Sequence, residues 1–582
     1  MAKQIRNAIE LASEMDCRKA ASIDAHTLAS GDEKNFVANN SLAYYVLINT
    51  WLLQIQQLSA YGWIYVKAQI MSSGLIETIK GFVEDSEVLL SGKDPSTLSS
   101  LSRNLFFDIA DSLPLRGIPH DDGIETHQDP IAAFLALSRY PKRFSPVGAT
   151  ALNDVATDGF ILTQKRLKEL QRSTPPRWLT KMVASQIESL IDWDSICEKI
   201  DKLDITDLKF TSGVTYSTNS NTLDKLLSVA CEDIGYFPQP FGYPLVCHIG
   251  KPKRPFPFDT WGSCDEPYKV VGLMAVPKSY KTARIIAPED VIRQGMARAI
   301  FEILDASTSK MFGLNIHDQT LNQTLAEEGS RTGDLATLDL SSASDSISWS
   351  LLRTVFPARF IQRIEKYLPS HYEVEKNIFF LQTATPMGNS LTFWIETLLF
   401  NAISRVARDI ALRFGIPDTK ANSTVSTYGD DIIVGTDVAE TLIDFLNLLG
   451  FIVNRDKSFY GRDFRYRESC GEEYLDGICT TSLYFPRSPI AGDIKDIGTK
   501  HLKPRTYRDY SPSGQLVLKD QLSSLLDLQH KMYKVCQPAS ILLTELITEI
   551  QPDMTSSTPD EGLNDLWAYE SHPVIQGAPV YD

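Results

Sequence analysis

The run from Ser423 to Gly435, STVSTYGDDIIVG, offers the clearest chemistry in this sequence. Two β-prone segments, TVSTY and IIVG, flank Gly429 and Asp430, and Gly-Asp is a turn pair that closes a β-hairpin. The turn carries two adjacent carboxylates, Asp430 and Asp431, to its tip. Like charges that close repel unless a cation lies between them, so a divalent metal is the economical reading, against the plain alternative of a solvated Asp-Asp turn. A further carboxylate stands where such a site needs one. In LATLDLSSASDSISW, strand alternation puts Leu335, Thr337 and Asp339 on one face, and Asp339 ends the strand. With that strand beside the hairpin, Asp339 and Asp430 would hold two metals ~3.5 to 4 Å apart, an arrangement suited to phosphoryl transfer. Beyond it the chain turns helical near Asp345, and Ser342-x-x-Asp345 equally fits a helix-capping pattern.

Two other stretches supply what an anionic substrate requires. In AVPKSYKTARIIAPE, Lys278, Lys281 and Arg284 lie between two β-like runs. The wider span Lys251 to Arg298 holds nine basic residues against five acidic ones, a local +4 in a chain of net charge −16. Lys and Arg here could grip a triphosphate as point charges and forks, or form an ordinary solvated basic hairpin. The segment PMGNSLTFWIETLLFNAISRV opens with a Gly-Asn-Ser loop and continues as a helix apolar nearly all round, hence buried. Thr392 and Glu396 share a face of it, and a buried Glu needs a partner. The loop before the helix offers backbone N–H groups to a phosphate or a template strand, although such a loop is usually only a cap.

The elements that must position these residues follow from patterning. Short β-like and helical runs alternate from Lys269 to about Arg487, as in an α+β domain. Ser41 to Ile79 reads as core helices, Leu516 to Ile550 as helical, and Ser91 to Ser102 and Pro114 to Pro130 as loops. Seven prolines among aromatics between Pro238 and Pro267 mark an extended connection and a boundary. The last 32 residues carry six carboxylates and no Lys or Arg, a loosely ordered acidic tail. With 57 basic against 73 acidic residues, general surface attraction to nucleic acid is excluded, and any such site must be a local basic patch. Eight cysteines without CxxC spacing indicate neither a disulfide scaffold nor a zinc ribbon, and suit a reducing cytoplasm. No signal peptide and no bilayer-spanning stretch is expected, so the chain reads as soluble.

In this order, VPKSYKTARIIAPE, HDQTLNQTLAEEGS with TLDLSSASDSIS, MGNSLTFWIETL, TYGDDIIV, and NRDKSF followed by RESCG resemble the motifs of palm-type RNA-dependent RNA polymerases. The likeness is greatest to the replicase catalytic subunit of the single-stranded RNA bacteriophages, the leviviruses. It covers roughly Val276 to Gly471, with a shorter likeness at Ile64 to Ser73. The resemblance implies that Asp339 and Asp430 bind catalytic metals with Asp431 at their edge, two Mg2+ ions for which Mn2+ could substitute. It implies that Lys278, Lys281 and Arg284 contact the incoming nucleoside triphosphate, that Asp345 helps read the ribose hydroxyl, and that Gly388, Asn389 and Thr392 line the path of template and nucleotide. Lys457 matches the position proposed to protonate the departing pyrophosphate; its plain alternative is an exposed lysine beside Arg455. Many viral polymerases place Asn four residues after the threonine, where this chain has Glu396.

The expected architecture is therefore an α+β right-hand polymerase whose antiparallel palm sheet carries the YGDD hairpin. Its parts would be 1–265, an amino-terminal region with part of the fingers; 266–330, fingers with the basic hairpin; 331–490, palm, with a finger insertion near 357–385; 491–550, thumb; and 551–582, acidic tail. The expected reaction is template-directed RNA synthesis replicating a phage RNA genome in the cytoplasm of the bacterial host. RNA template and product are the expected partners, and the resemblance adds host elongation factors Tu and Ts and a ribosomal protein. Two rivals stay open. A reverse transcriptase shares the hairpin, but usually carries a bulky aromatic about five residues after the first aspartate, where this chain has Ser341 to Asp345. A catalytically silent RNA-binding scaffold would have no need to crowd acids that repel.

Overall fold

The computed structural model describes, apart from scattered single positions, residues 17–28, 32–113, 129–170, 175–203, 270–486 and 524–550. The loop read at Pro114 to Pro130 lies almost wholly outside the described residues, and the boundary at Pro238 to Pro267 and the tail 551–582 entirely so. The chain divides into two compact units, one from the segments up to 89, 94–151 and from 482 onward, the other from 90–93 and 152–481.

The first unit is helical. Its longest helix, Glu33–Leu58, starts at Asp32, whose carboxylate accepts the Asn35 N–H at 3.1 Å. Its second half is apolar on nearly every side and correspondingly buried, with Trp51 donating its indole N–H to Leu137 O at 2.8 Å. The helices Gly62–Ser73 and Leu75–Leu90 follow, so the helical reading of 41–79 holds. The loop read at Ser91 to Ser102 is shorter than expected: Ser99 caps a helix from Ser100 to Ser112 through its side-chain oxygen.

The second unit is built on a three-stranded antiparallel sheet in the order β4-β8-β7, with β4 Leu335–Leu338, β7 Val425–Tyr428 and β8 Asp431–Gly435. Tyr428 pairs with Asp431, leaving Gly429 and Asp430 as a two-residue loop, and Gly429 alone of the two has a positive φ, +62°. This is the requirement of a type II′ turn, which glycine meets without strain. Ile432 and Val434 face a core shared with the helices Thr392–Arg413 and Thr436–Leu448, while Ile433 and Leu335 turn to the opposite face against Leu325 and Ala326 of the helix Thr320–Thr332. Both faces being covered, β8 reads as a continuous apolar run rather than an alternating one. Each such fully buried side chain stabilises the layer by about 1.5–3 kcal/mol.

Three smaller sheets complete the unit. A hairpin joins β2 Met274–Pro277 to β3 Ala283–Ile286; β1 Val270–Gly272 runs parallel to β5 His371–Val374, which pairs with β6 Asn377–Phe380; and β9 Tyr466–Ser469, β10 Glu472–Leu475 and β11 Ile478–Cys479 form a meander. The α+β reading therefore stands. No helix among the described residues is long and apolar enough to cross a membrane.

Candidate active site

Strand β4 runs antiparallel to β8 with Leu338 opposite Ile432, and one further step in that register brings Asp339 opposite Asp431. Two carboxylates distant in sequence are thus brought to the same end of one sheet, beside the turn residue Asp430. The segment 453–459 holds Asp339 from the other side of β4. Asn454 donates its backbone N–H to Asp339 O at 2.9 Å and its amide to Asp339 Oδ2 at 3.0 Å, and Asp339 N donates to Ser458 Oγ at 3.1 Å. Asp431 is held by a different set. Cys470 donates its backbone N–H to the carboxylate, Ser469 Oγ lies 3.4 Å from Oδ1, and Asn322 donates its amide to Asp431 O at 3.2 Å while accepting from Ser426 Oγ at 2.6 Å.

The electrostatics record crowding. Burial pushes the Asp339 carboxyl up to about 6, with Asp430 and Glu468 adding to the rise and Lys457 and the Asn454 amide opposing it. Burial likewise pushes Asp431 up to about 7, with Asp430 the largest charge contribution and Glu468 and Asp339 behind it. Lys278 faces the same acids: burial and the charges of Lys457 and Arg284 lower its pKa, and Asp339 and Asp430 pull the other way. The structure therefore gathers Asp339, Asp430, Asp431, Lys278 and Lys457 at one place, and leaves Lys281 exposed at the turn of the basic hairpin.

Asp345 sits in a short 3-10 turn, Ser344–Ser346, rather than in a helix cap; the next helix begins at Trp349 and is capped by Ser348. Burial raises its carboxyl to about 7, against the Met387 N–H it accepts and the charge of Arg284, and its Oδ1 is shielded from solvent with no hydrogen-bond partner. Glu396, buried in the 392–413 helix, is raised well above the ordinary carboxyl range by burial, then by Asp430 and Asp345, with Arg284 opposing. Gly388 is exposed, with φ +115°. Asn389 and Thr392 are buried and engaged within the protein: the Asn389 amide donates to Glu289 and to Tyr367 O, and the Thr392 hydroxyl to Pro386 O at 2.8 Å.

Sequence reasoning missed Asn322, Asn454, Ser458, Ser469, Glu468 and Glu289. All lie inside or beside quoted motifs, but only cross-strand placement gives their polar atoms a target. Among the described residues no three or more His, Cys, Asp or Glu side chains are grouped so as to hold a metal ion. The donor chemistry nevertheless fits one. Hard carboxylate oxygens, brought close together in a largely buried place, suit Mg2+ or a similar ion, whose charge would favour their ionised form.

Known proteins match where this geometry lies. Residues 264–493 match the family described as RNA replicase, beta-chain. The matched span includes the basic hairpin, β4, the 392–413 helix, the hairpin β7–β8 and β9–β11. Similar proteins include the RNA-directed RNA polymerase beta chain of Enterobacteria phage fr, 32% identical over 278 residues, 46% of this chain and 49% of the relative. The RNA-directed RNA polymerase subunit beta of Enterobacteria phage SP is 35% identical over 37% of this chain and 36% of its own length, and that of Escherichia virus Qbeta 34% identical over 36% and 34%. The match spans about half the length of the first relative and about a third of the other two. A solved RNA-dependent RNA polymerase of a human picorbirnavirus, an insertion-loop deletion mutant, is similar at TM-score 0.42 and 12% identity over 83% of this chain and 91% of that one.

Proposed function

We propose that this chain catalyses template-directed RNA synthesis from nucleoside triphosphates and replicates a phage RNA genome in the bacterial cytoplasm. The observation that carries the reading is the β4–β8 register, which sets Asp339 opposite Asp431 at the hairpin tip with Lys278 and Lys457 facing them. On this reading Lys278 and Arg284 bind the triphosphate, the unpaired Oδ1 of Asp345 accepts a ribose hydroxyl, and the exposed Gly388 backbone borders the template path. Lys457, a neighbour of both Asp339 and Lys278, donates a proton to the departing pyrophosphate. Asp339, Asp430 and Asp431 would hold Mg2+, with Mn2+ as a substitute. Bound there, the ions would supply Lewis acidity to the 3′-hydroxyl of the growing RNA and positive charge to the leaving phosphate.

Residues 331–490 serve on this reading as the palm, 266–330 as fingers and 491–550 as thumb. Host elongation factors Tu and Ts and a ribosomal protein are the partners the resemblance suggests; a purified chain that copied its template equally fast without them would exclude that part.

Template-dependent incorporation tests the proposal. Asp430→Asn should abolish incorporation with Mg2+ and leave RNA binding largely intact, and ribonucleotides should be used in preference to deoxyribonucleotides. Equal activity in mutant and wild type rejects the site; preferential DNA synthesis favours the reverse transcriptase.

A further inference from the structure

We infer that Glu289 is a positioning residue that sets nucleotide sugar selectivity by clamping the loop 386–389 against the basic hairpin, a role that rests on the polymerase reading above. Glu289 is 1% exposed, and both its carboxylate oxygens lie 2.8 Å from the Asn389 amide nitrogen. A buried carboxylate is costly unless hydrogen-bonded, and the Asn389 amide is one partner that meets this need. Asn389 is itself a junction: its Oδ1 accepts the Leu391 N–H at 2.7 Å, where the 392–413 helix begins.

The clamp fixes one peptide in particular. Ala287, two residues before Glu289, donates its N–H to Met387 O at 2.7 Å, and the N–H of Met387 is donated to the Asp345 carboxylate. Between the two clamped positions Gly388 packs so closely that a Cβ would stand 2.9 Å from Ala287 O. Asp345 therefore takes its direction from the Met387 peptide, while its second oxygen, Oδ1, has no protein partner. Releasing Asn389 frees the loop and lets the Asp345 carboxylate turn. Arg284, on the strand β3 that leads into Ala287 and near Asp345, would shift with it.

The test is steady-state primer extension by the full chain, with ribo- and deoxyribonucleotides supplied separately and a thermal melt for each variant. Glu289→Ala should raise the ribonucleotide KM about tenfold, change kcat by less than about threefold, and lower ribo-over-deoxyribo selectivity about tenfold, the loss expected from one buried hydrogen-bonded pair. Glu289→Gln, which still offers an oxygen to the Asn389 amide, should restore selectivity to within about threefold of wild type. Asn389→Ala should reproduce Glu289→Ala, and the double variant should add nothing to either. If Glu289→Ala fails to fold, Asn389→Ala carries the same expectation. The inference is overturned if both alanine variants keep wild-type KM and selectivity, or if they lower only kcat and melting temperature. Asp430→Asn separates the levels: abolished incorporation beside an unaffected Glu289→Ala removes this inference alone, whereas activity in Asp430→Asn removes the polymerase reading.

Discussion

Asp339 shows how much of a candidate catalytic residue is made by its neighbours. Its place at the end of an apolar strand was readable, since alternation requires Leu335, Thr337 and Asp339 to share a face. Its second anchor was not, because Asn454 comes 115 residues later and meets it only through the bridges that segment makes with β4. Asn454→Ala keeps the backbone N–H bond to Asp339 O and removes the amide bond to Oδ2. A lost hydrogen bond to a charged group of about 1.5 kcal/mol predicts a roughly tenfold fall in kcat/KM. Single-turnover incorporation measures it, and an unchanged rate would mean that the amide does not orient this carboxylate.

At the scale of elements, the hairpin β7–β8 is pinned to the helix behind it. Gly429 donates its N–H to the Thr397 hydroxyl oxygen on the helix at 2.9 Å, and Tyr428 meets Phe393 edge-on at 4.9 Å between ring centroids. The turn was legible from Gly-Asp between two β-prone runs, but the reason for glycine was only half legible. Besides its φ of +62°, an added Cβ would lie 2.5 Å from Phe393 Cε2. Gly429→Ala should therefore cost about 1–2 kcal/mol for the left-handed backbone plus a displaced ring, and lower incorporation at least about tenfold. Urea unfolding and primer extension check the two parts. Adding Phe393→Ala should recover some of the lost activity; no recovery would show that backbone strain alone is at fault.

For the molecule as a whole, stability does not rest on the candidate site alone. In the helical unit, Asp24 is buried and accepts the N–H groups of Leu75 at 2.9 Å and Ile76 at 3.1 Å, across 51 and 52 residues of chain. Burial raises its carboxyl from 3.8 to about 7, outweighing those bonds and the Tyr44 hydroxyl. Between these values the folded state binds the proton and the unfolded state does not, so stability falls as pH rises from about 4 through 7. The destabilisation caused by Asp24→Ala should accordingly be greater at pH 5 than at pH 8, by an amount on the order of a few kcal/mol. Melting curves of both proteins at the two pH values decide it, and a larger difference at pH 8 would reverse the sign. Ser41 to Ile79 announced these helices through apolar spacing, whereas a lone Asp in CRKAASIDAHT carried no sign of its distant partners.

Local order was written in the chain itself. The Gly-Asp turn, the apolar strands, the all-round apolar helix after PMGNS and the basic run of VPKSYKTAR each depend on neighbours a few residues away, where turn chemistry and periodicity act. Tertiary structure settled which side chains have their hydrogen bonds met: Asn389 and Thr392 inward, Asp345 left with one open oxygen, Glu289 drawn onto Asn389. Those outcomes depend on strand register and on burial, and both arise only when segments a hundred residues apart exclude water between them.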